Sequence, residues 1–243
     1  MTDSPALVIF DLDGTLVDPA GSITGGIAHA LATHGLPVPD AEGLNAMVGP
    51  PLVESLRTIA GLPDTVIPAV VATYRERYIS EGMAQSRPYP GIPELLDRLR
   101  EAGYHLAVAT QKPEGLAKKL LGMHDLDARF HSIHGAPDDE TLPPLPDGKA
   151  SIVAAALEVN HADRTRAVLI GDRRHDAAGA AANQIACIGV AWGFAEPGEL
   201  EAQGLAALVA DAQEAGDAVE RLLPLVAPAG MSTIEATEAT TCP

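Results

Sequence analysis

The chain has 243 residues and a formal net charge of −17, from 16 Lys and Arg against 33 Asp and Glu. This length buries a sizeable core, and it fits either one large α/β domain or a core domain carrying a small insertion. The charge excludes a surface made to wrap nucleic acid or to lie on anionic lipid, so an anionic ligand must be drawn in by local features such as a metal ion, a few cations or helix N-termini.

Along the chain, residues 6–10 (ALVIF) form a short apolar run that ends in acidic residues, the pattern of a strand buried on both faces. Residues 15–85 contain no convincing strand and carry helical patterns at 23–34, 51–60 and 66–79, so a helical subdomain is expected there. Further apolar runs follow at 104–109, 167–170, 186–190 and, more weakly, 206–210. Helix-like stretches at 90–102, 113–121, 149–157 and 176–183 lie between them, each opened by turn residues or by a helix-starting Pro or Asp. Alternating strands and helices predict an α/β fold with a doubly wound, mostly parallel sheet. The expected division is residues 1–14 and 86–227 as the core, 15–85 as the helical domain, and 228–243 as a disordered, Thr-rich tail. Cys187 sits in an apolar run and Cys242 beside the C-terminus, so Cys187 is expected to be a small buried hydrophobe and no disulfide is expected. No apolar stretch reaches the roughly 18–20 residues of a membrane span, and the N-terminus lacks the pattern of a signal peptide, so a cytoplasmic chain is expected.

In an open parallel sheet the ligand crevice lies at the carboxyl ends of the strands. The first run ends in Asp11-Leu12-Asp13-Gly14-Thr15, the run at 104–109 leads into Thr110, and the run at 167–170 leads into Gly171-Asp172-Arg173-Arg174-His175-Asp176. Lys149 opens the helix before that last strand. Taken singly, each of these residues is an ordinary cap or loop residue. Taken together, Asp11, Asp13, Asp172 and Asp176 cannot share an apolar crevice without a cation, and an all-oxygen set suits Mg²⁺ rather than zinc.

These segments resemble the four motifs of the haloacid dehalogenase superfamily, in the family's order, over residues of about 6–226. Asp11 to Thr15 match its DxDGT motif, Thr110 the second, Lys149 the third and Gly171-Asp172 with Asp176 the fourth, while the inserted helices resemble a C1 cap. Gly49-Pro50-Pro51-Leu52 together with Gly171 to Asp176 resemble a nucleotidase-like branch of the phosphoglycolate-phosphatase group. The resemblance implies a Rossmann-like core and a phosphatase. Asp11 would be the nucleophile that forms an aspartyl-phosphate, and Asp13 the acid and then the base. Thr110 and Lys149 would bind the phosphoryl oxygens. Mg²⁺ would be held by Asp11, Asp172 and the backbone carbonyl of Asp13, with Asp176 binding it or orienting its waters. The implied partner is a small phosphorylated metabolite, with Pro50, Pro51 and Arg57 as candidate specificity residues. A phosphomutase or other phosphotransferase, including one acting on a protein phosphotyrosine, would share this core, and a non-catalytic binding protein is the remaining alternative. A dehalogenase would lack the second aspartate, so Asp13 argues against it.

Overall fold

The computed structural model describes residues 4–139 and 147–225; the tail expected from 228 and Cys242 lie outside the described residues. Strand β1 (Leu7–Phe10) is followed by the two-residue β2 (Val17–Asp18). Four helices come next: α1 (Ser22–Thr33), α2 (Ala41–Ala46), α3 (Leu52–Thr58) and α4 (Ile67–Arg77). A single π-turn, Tyr78–Gly82, continues α4 and leads to β3 (Arg87–Pro88), which pairs antiparallel with β2. The chain then runs through α5 (Ile92–Ala102), β4 (His105–Pro113), α6 (Glu114–Met123), β5 (Ser132–Ala136) and α7 (Lys149–Val159). It ends in β6 (Ala167–Gly171), α8 (Arg174–Ala182), β7 (Ala186–Val190), β8 (Ala207–Val209) and α9 (Ala212–Leu222).

Six strands form one parallel sheet in the order β5-β4-β1-β6-β7-β8. The residues of β1 are fully buried and alternate between two cores. Val8 and Phe10 join the large cluster that includes Leu96, Leu106, Ile188 and the helical residues Ile27, Leu31 and Tyr78. Leu7 and Ile9 face Ala107, Ile152, Val153 and Leu169 on the other side. A strand covered on both faces must be apolar at every position, which is why ALVIF reads as a continuous run rather than an alternating one. The chain builds outward from β1 to β4 and β5, then returns to build β6, β7 and β8 on its other side, so the crevice at the switch point opens beside β1.

Three features depart from the sequence expectations. The strand expected at 104–109 extends to Pro113 with a bulge between Ala109 and Pro113, because β1 ends at Phe10 and leaves that stretch of β4 free to bend. Strand β5 was not foreseen: SIHGA carries a His and a Gly, and as the sheet's half-buried edge it needs no apolar run. The pair β2 and β3 was also missed, since two residues are too short to show periodicity; it joins the two connections that lead into and out of the four helices. Cys187 is buried and unpaired as expected, and burial pushes its thiol up to about 12. No helix among the described residues is long and apolar enough to cross a membrane.

Candidate active site

The carboxyl ends of β1, β4 and β6 converge with the start of α7. Asp11 follows β1, Asp172 follows β6, and Asp176 lies in the first turn of α8. All three carboxylates are buried, and one oxygen from each lies within 4.8 Å of the others. Lys149 reaches in from the N-terminus of α7, with Nζ donating to Asp11 Oδ1 and to Asp176 Oδ1, each at 2.6 Å. Burial disfavours the Lys149 charge, but the Asp11 and Asp176 carboxylates outweigh it and raise its pKa. Asp176 accepts a further hydrogen bond from the Arg173 N–H at 3.0 Å, while Asp172 accepts from the Thr15 hydroxyl at 3.2 Å and the Phe194 N–H at 2.8 Å.

Asp172 titrates well above the usual carboxylate range, first through burial and then through repulsion from Asp176 and Asp11; burial likewise raises Asp176 to about 6. One lysine for three buried carboxylates leaves negative charge uncompensated, which is the condition that a divalent cation relieves. The donors are all oxygen. His175 is not among them; burial and the neighbouring Arg174 push its pKa down to about 4, leaving a neutral imidazole. The residues present therefore fit a hard cation such as Mg²⁺.

Glycines make room for this cluster. At Gly14, with φ +91°, and at Gly193, an added Cβ would overlap the Asp172 carboxylate. Gly14 also occupies a left-handed conformation that disfavours a side chain.

Asp13 is separated from the cluster. Its Oδ2 is ion-paired with Lys112 Nζ at 2.5 Å, and its Oδ1 is buried without a hydrogen-bond partner among the described residues. Lys112 projects from the β4 bulge beneath the ring of Tyr78, 4.8 Å from the ring centroid, and Tyr78 stacks on Tyr74. The Thr110 hydroxyl is buried and accepts from the Lys112 N–H at 3.2 Å.

A cavity of 460 Å³ is lined from the core by residues that include Asp11, Asp13, Thr110, Lys112, Ala136 and Ile152, and from the helical segment by residues that include Ile23, Ile27, Met47, Pro50, Pro51 and Arg57. Arg57, a candidate specificity residue, is half-exposed and paired with Asp64 at 2.8 Å, so its guanidinium is already engaged.

The sequence-derived residues Asp11, Asp172, Asp176 and Lys149 thus meet in one buried cluster, and Asp13 and Thr110 face the adjoining chamber. Lys112 was not among the residues expected from the sequence, although a lysine two residues beyond a strand-end threonine was the available signal; Thr15 and Arg173 stood in the expected motifs without an assigned role.

A protein-family model described as haloacid dehalogenase-like hydrolase matches residues 8–190. The chain belongs to that family. Tyrosine-protein kinase PtkA of Mycobacterium tuberculosis is 42% identical over 192 residues, which cover 79% of this chain and 64% of PtkA, so the chain spans under two thirds of that relative. A 5'-nucleotidase of Pseudomonas aeruginosa is 37% identical over 195 residues, covering 80% of this chain and 86% of the relative. Among solved structures, a predicted phosphatase from Clostridium acetobutylicum superposes with a TM-score of 0.82 at 33% identity, covering 89% of this chain and 99% of its own. The core described above is therefore a haloacid dehalogenase-type core, with the DxDGT segment at its central strand.

Proposed function

We propose that this protein is a divalent-cation-dependent phosphatase that hydrolyses a small-molecule phosphate monoester through an aspartyl-phosphate on Asp11. The observation that carries the reading is the division of labour between the two neighbouring carboxylates: Asp11 lies in the carboxylate cluster with Lys149, and Asp13, which lines the chamber, is held instead by Lys112. A bound cation, held by Asp11, Asp172 and Asp176, would shield the attacking carboxylate from the phosphoryl oxygens. Lys149 and the Thr110 hydroxyl bind phosphoryl oxygens, and Lys149 also orients Asp11 for in-line attack. As the P–O bond to the leaving group breaks, Asp13 gives its proton to the departing alkoxide; the same carboxylate then takes a proton from the water that attacks the acyl phosphate. Lys112 fixes Asp13 Oδ2 and so holds this carboxyl in one orientation.

Residues 15–85 act as a cap that encloses the leaving group and excludes water. The mostly apolar walls and the volume of the chamber fit an organic leaving group of several carbons better than a two-carbon acid. Phosphate release measured across a panel of esters, from glycolate phosphate to nucleoside monophosphates and sugar phosphates, with and without Mg²⁺, tests this reading. A second reading, action on a protein tyrosine, is favoured by the name of the mycobacterial relative, and a phosphotyrosine peptide in the same panel distinguishes it.

A further inference from the structure

Arg173 stands one residue beyond Asp172, and its side chain is only 2% exposed. It leaves the sheet edge in an extended conformation and crosses to the helical segment, where Nη1 donates to the backbone carbonyl of Val48 at 2.7 Å. Its Nε donates to Glu199 Oε1 at 2.9 Å. Glu199 is itself immobilised: its Oε1 also accepts from the Arg174 N–H at 2.8 Å and its Oε2 from the Glu196 N–H at 3.1 Å. The guanidinium thus has a fixed anchor on the core and a single backbone acceptor on the other side.

Val48 is followed by Gly49-Pro50-Pro51-Leu52, all four of which line the chamber. Gly49 has φ +104°, a left-handed conformation that favours glycine, and a Cβ added there would lie 3.4 Å from Arg173 Cγ, so the two segments pack side by side. The two segments resembling one branch of the family are therefore in direct contact. One end of Arg173 is tied through its backbone N–H to Asp176 of the carboxylate cluster, and the other end to the wall that would meet the leaving group.

We propose that Arg173 is a positioning residue, a latch that holds the Val48–Leu52 wall in register with the Asp172 loop, so that occupancy of the chamber and geometry at the carboxylate cluster are coupled. A backbone carbonyl is a suitable acceptor for this purpose, since the contact does not depend on a titrating partner and a guanidinium remains charged throughout the working pH range. The latch makes the leaving group's contacts with the wall count toward catalysis, because a wall free to drift gives up the orientation that the enclosed site supplies.

The proposal rests on the phosphatase reading for its kinetic arm only. The full chain is compared with Arg173→Lys and Arg173→Met, together with Glu199→Gln, which removes the charge of the anchor but leaves the guanidinium in place. Amide hydrogen exchange without substrate is followed in residues 47–58 and in the sheet, and kcat and KM are measured with para-nitrophenyl phosphate, whose leaving group is a bulky ring, and with acetyl phosphate, whose leaving group is small. The expected result is exchange in 47–58 at least several-fold faster with the sheet unchanged. For para-nitrophenyl phosphate, kcat/KM should fall about 10–100-fold, the range for losing a charge-assisted hydrogen bond, mostly through KM, while acetyl phosphate changes by less than about threefold. Glu199→Gln should move both readouts in the same direction by less, and it carries the test should Arg173→Met not fold. Unchanged exchange in 47–58, or an equal fall with both substrates, would overturn the latch. Turnover of neither substrate by the unsubstituted chain would refute the phosphatase reading, and the exchange comparison would still decide the latch.

Discussion

Lys112 and Asp13, 99 residues apart in sequence, meet in a buried ion pair under the ring of Tyr78. Burial disfavours the lysine charge, but the Asp13 carboxylate outweighs it and raises the lysine pKa, so the ammonium persists and its partner is held in one orientation. Tyr78 belongs to the π-turn on the return path from the helical segment to the core, a local geometry often found at functional positions. Under the proposed mechanism, this arrangement connects the acid/base carboxylate to the path along which the cap would move.

Replacing Lys112 with Met keeps the packing beneath Tyr78 but leaves the buried Asp13 carboxylate unpaired, so denaturant unfolding should show a loss of about 3–5 kcal/mol. The Asp13 carboxylate then loses its fixed orientation. Turnover of alkyl phosphates should fall about 10–100-fold, the range for a charge-assisted hydrogen bond, while esters with activated leaving groups are affected less in the phosphorylation step. Steady-state kinetics across a series of leaving groups checks this; equal losses across the series would contradict the assigned role.

The two neighbouring carboxylates should separate cleanly on substitution. Asp11→Asn removes the proposed nucleophile, so neither chemical step should occur and no phosphoenzyme should be trapped. Asp13→Asn slows attack by roughly 10²–10⁴-fold with an alkyl leaving group. With para-nitrophenyl phosphate it should still phosphorylate Asp11, giving a burst that stalls at hydrolysis for want of a base. Rapid-quench experiments on both variants decide the point; turnover by Asp11→Asn without a burst from Asp13→Asn would reverse the two assignments.

Cation binding should be linked to protons in a defined direction. Asp172 and Asp176 titrate above their ordinary values in the folded protein, chiefly through burial. For Asp176 the folded state therefore holds more protons than the unfolded chain between pH 3.8 and about 6, and its stabilising effect is lost as pH rises through about 6. Above that range the clustered charges destabilise the cation-free protein. Added Mg²⁺ should raise Tm more at about pH 7.5 than at about pH 5, because a cation that binds only the folded, ionised cluster stabilises by mass action. Comparing thermal unfolding with Mg²⁺ and with EDTA at both pH values removes the contributions of other titrating groups. An equal shift at the two pH values would argue against this cluster as the binding site.

Gly14→Ala should act on the site more than on the fold. The substitution places a Cβ against the Asp172 carboxylate at a backbone position with φ +91°. The backbone strain alone costs about 1–3 kcal/mol, read by denaturant unfolding. Displacement of Asp172 should abolish the Mg²⁺-dependent rise in Tm. A variant of normal stability that still responds to Mg²⁺ would show that Asp172 does not hold the cation.

Much of this protein is determined by local sequence. The central strand is legible because burial on both faces leaves no polar position in ALVIF, and the later strands and the helices between them follow the same logic. Asp11, Thr110, Lys149, Asp172 and Asp176 are legible because a parallel sheet delivers residues from strand ends and helix starts to one edge. The edge strand β5 and the short β2–β3 pair were not, since a half-buried edge and a two-residue ladder leave no hydrophobic period to read. Which carboxylate joins the Asp172–Asp176 cluster and which turns to Lys112 is likewise absent from the sequence, where Asp11 and Asp13 differ by two positions in one loop. That distinction arises from partners 138 and 99 residues away. The contact of Arg173 with Val48 spans 125 residues and joins a side chain to a backbone carbonyl. A carbonyl belongs to every residue and leaves no compositional trace, so only the folded chain could decide which one Arg173 would meet.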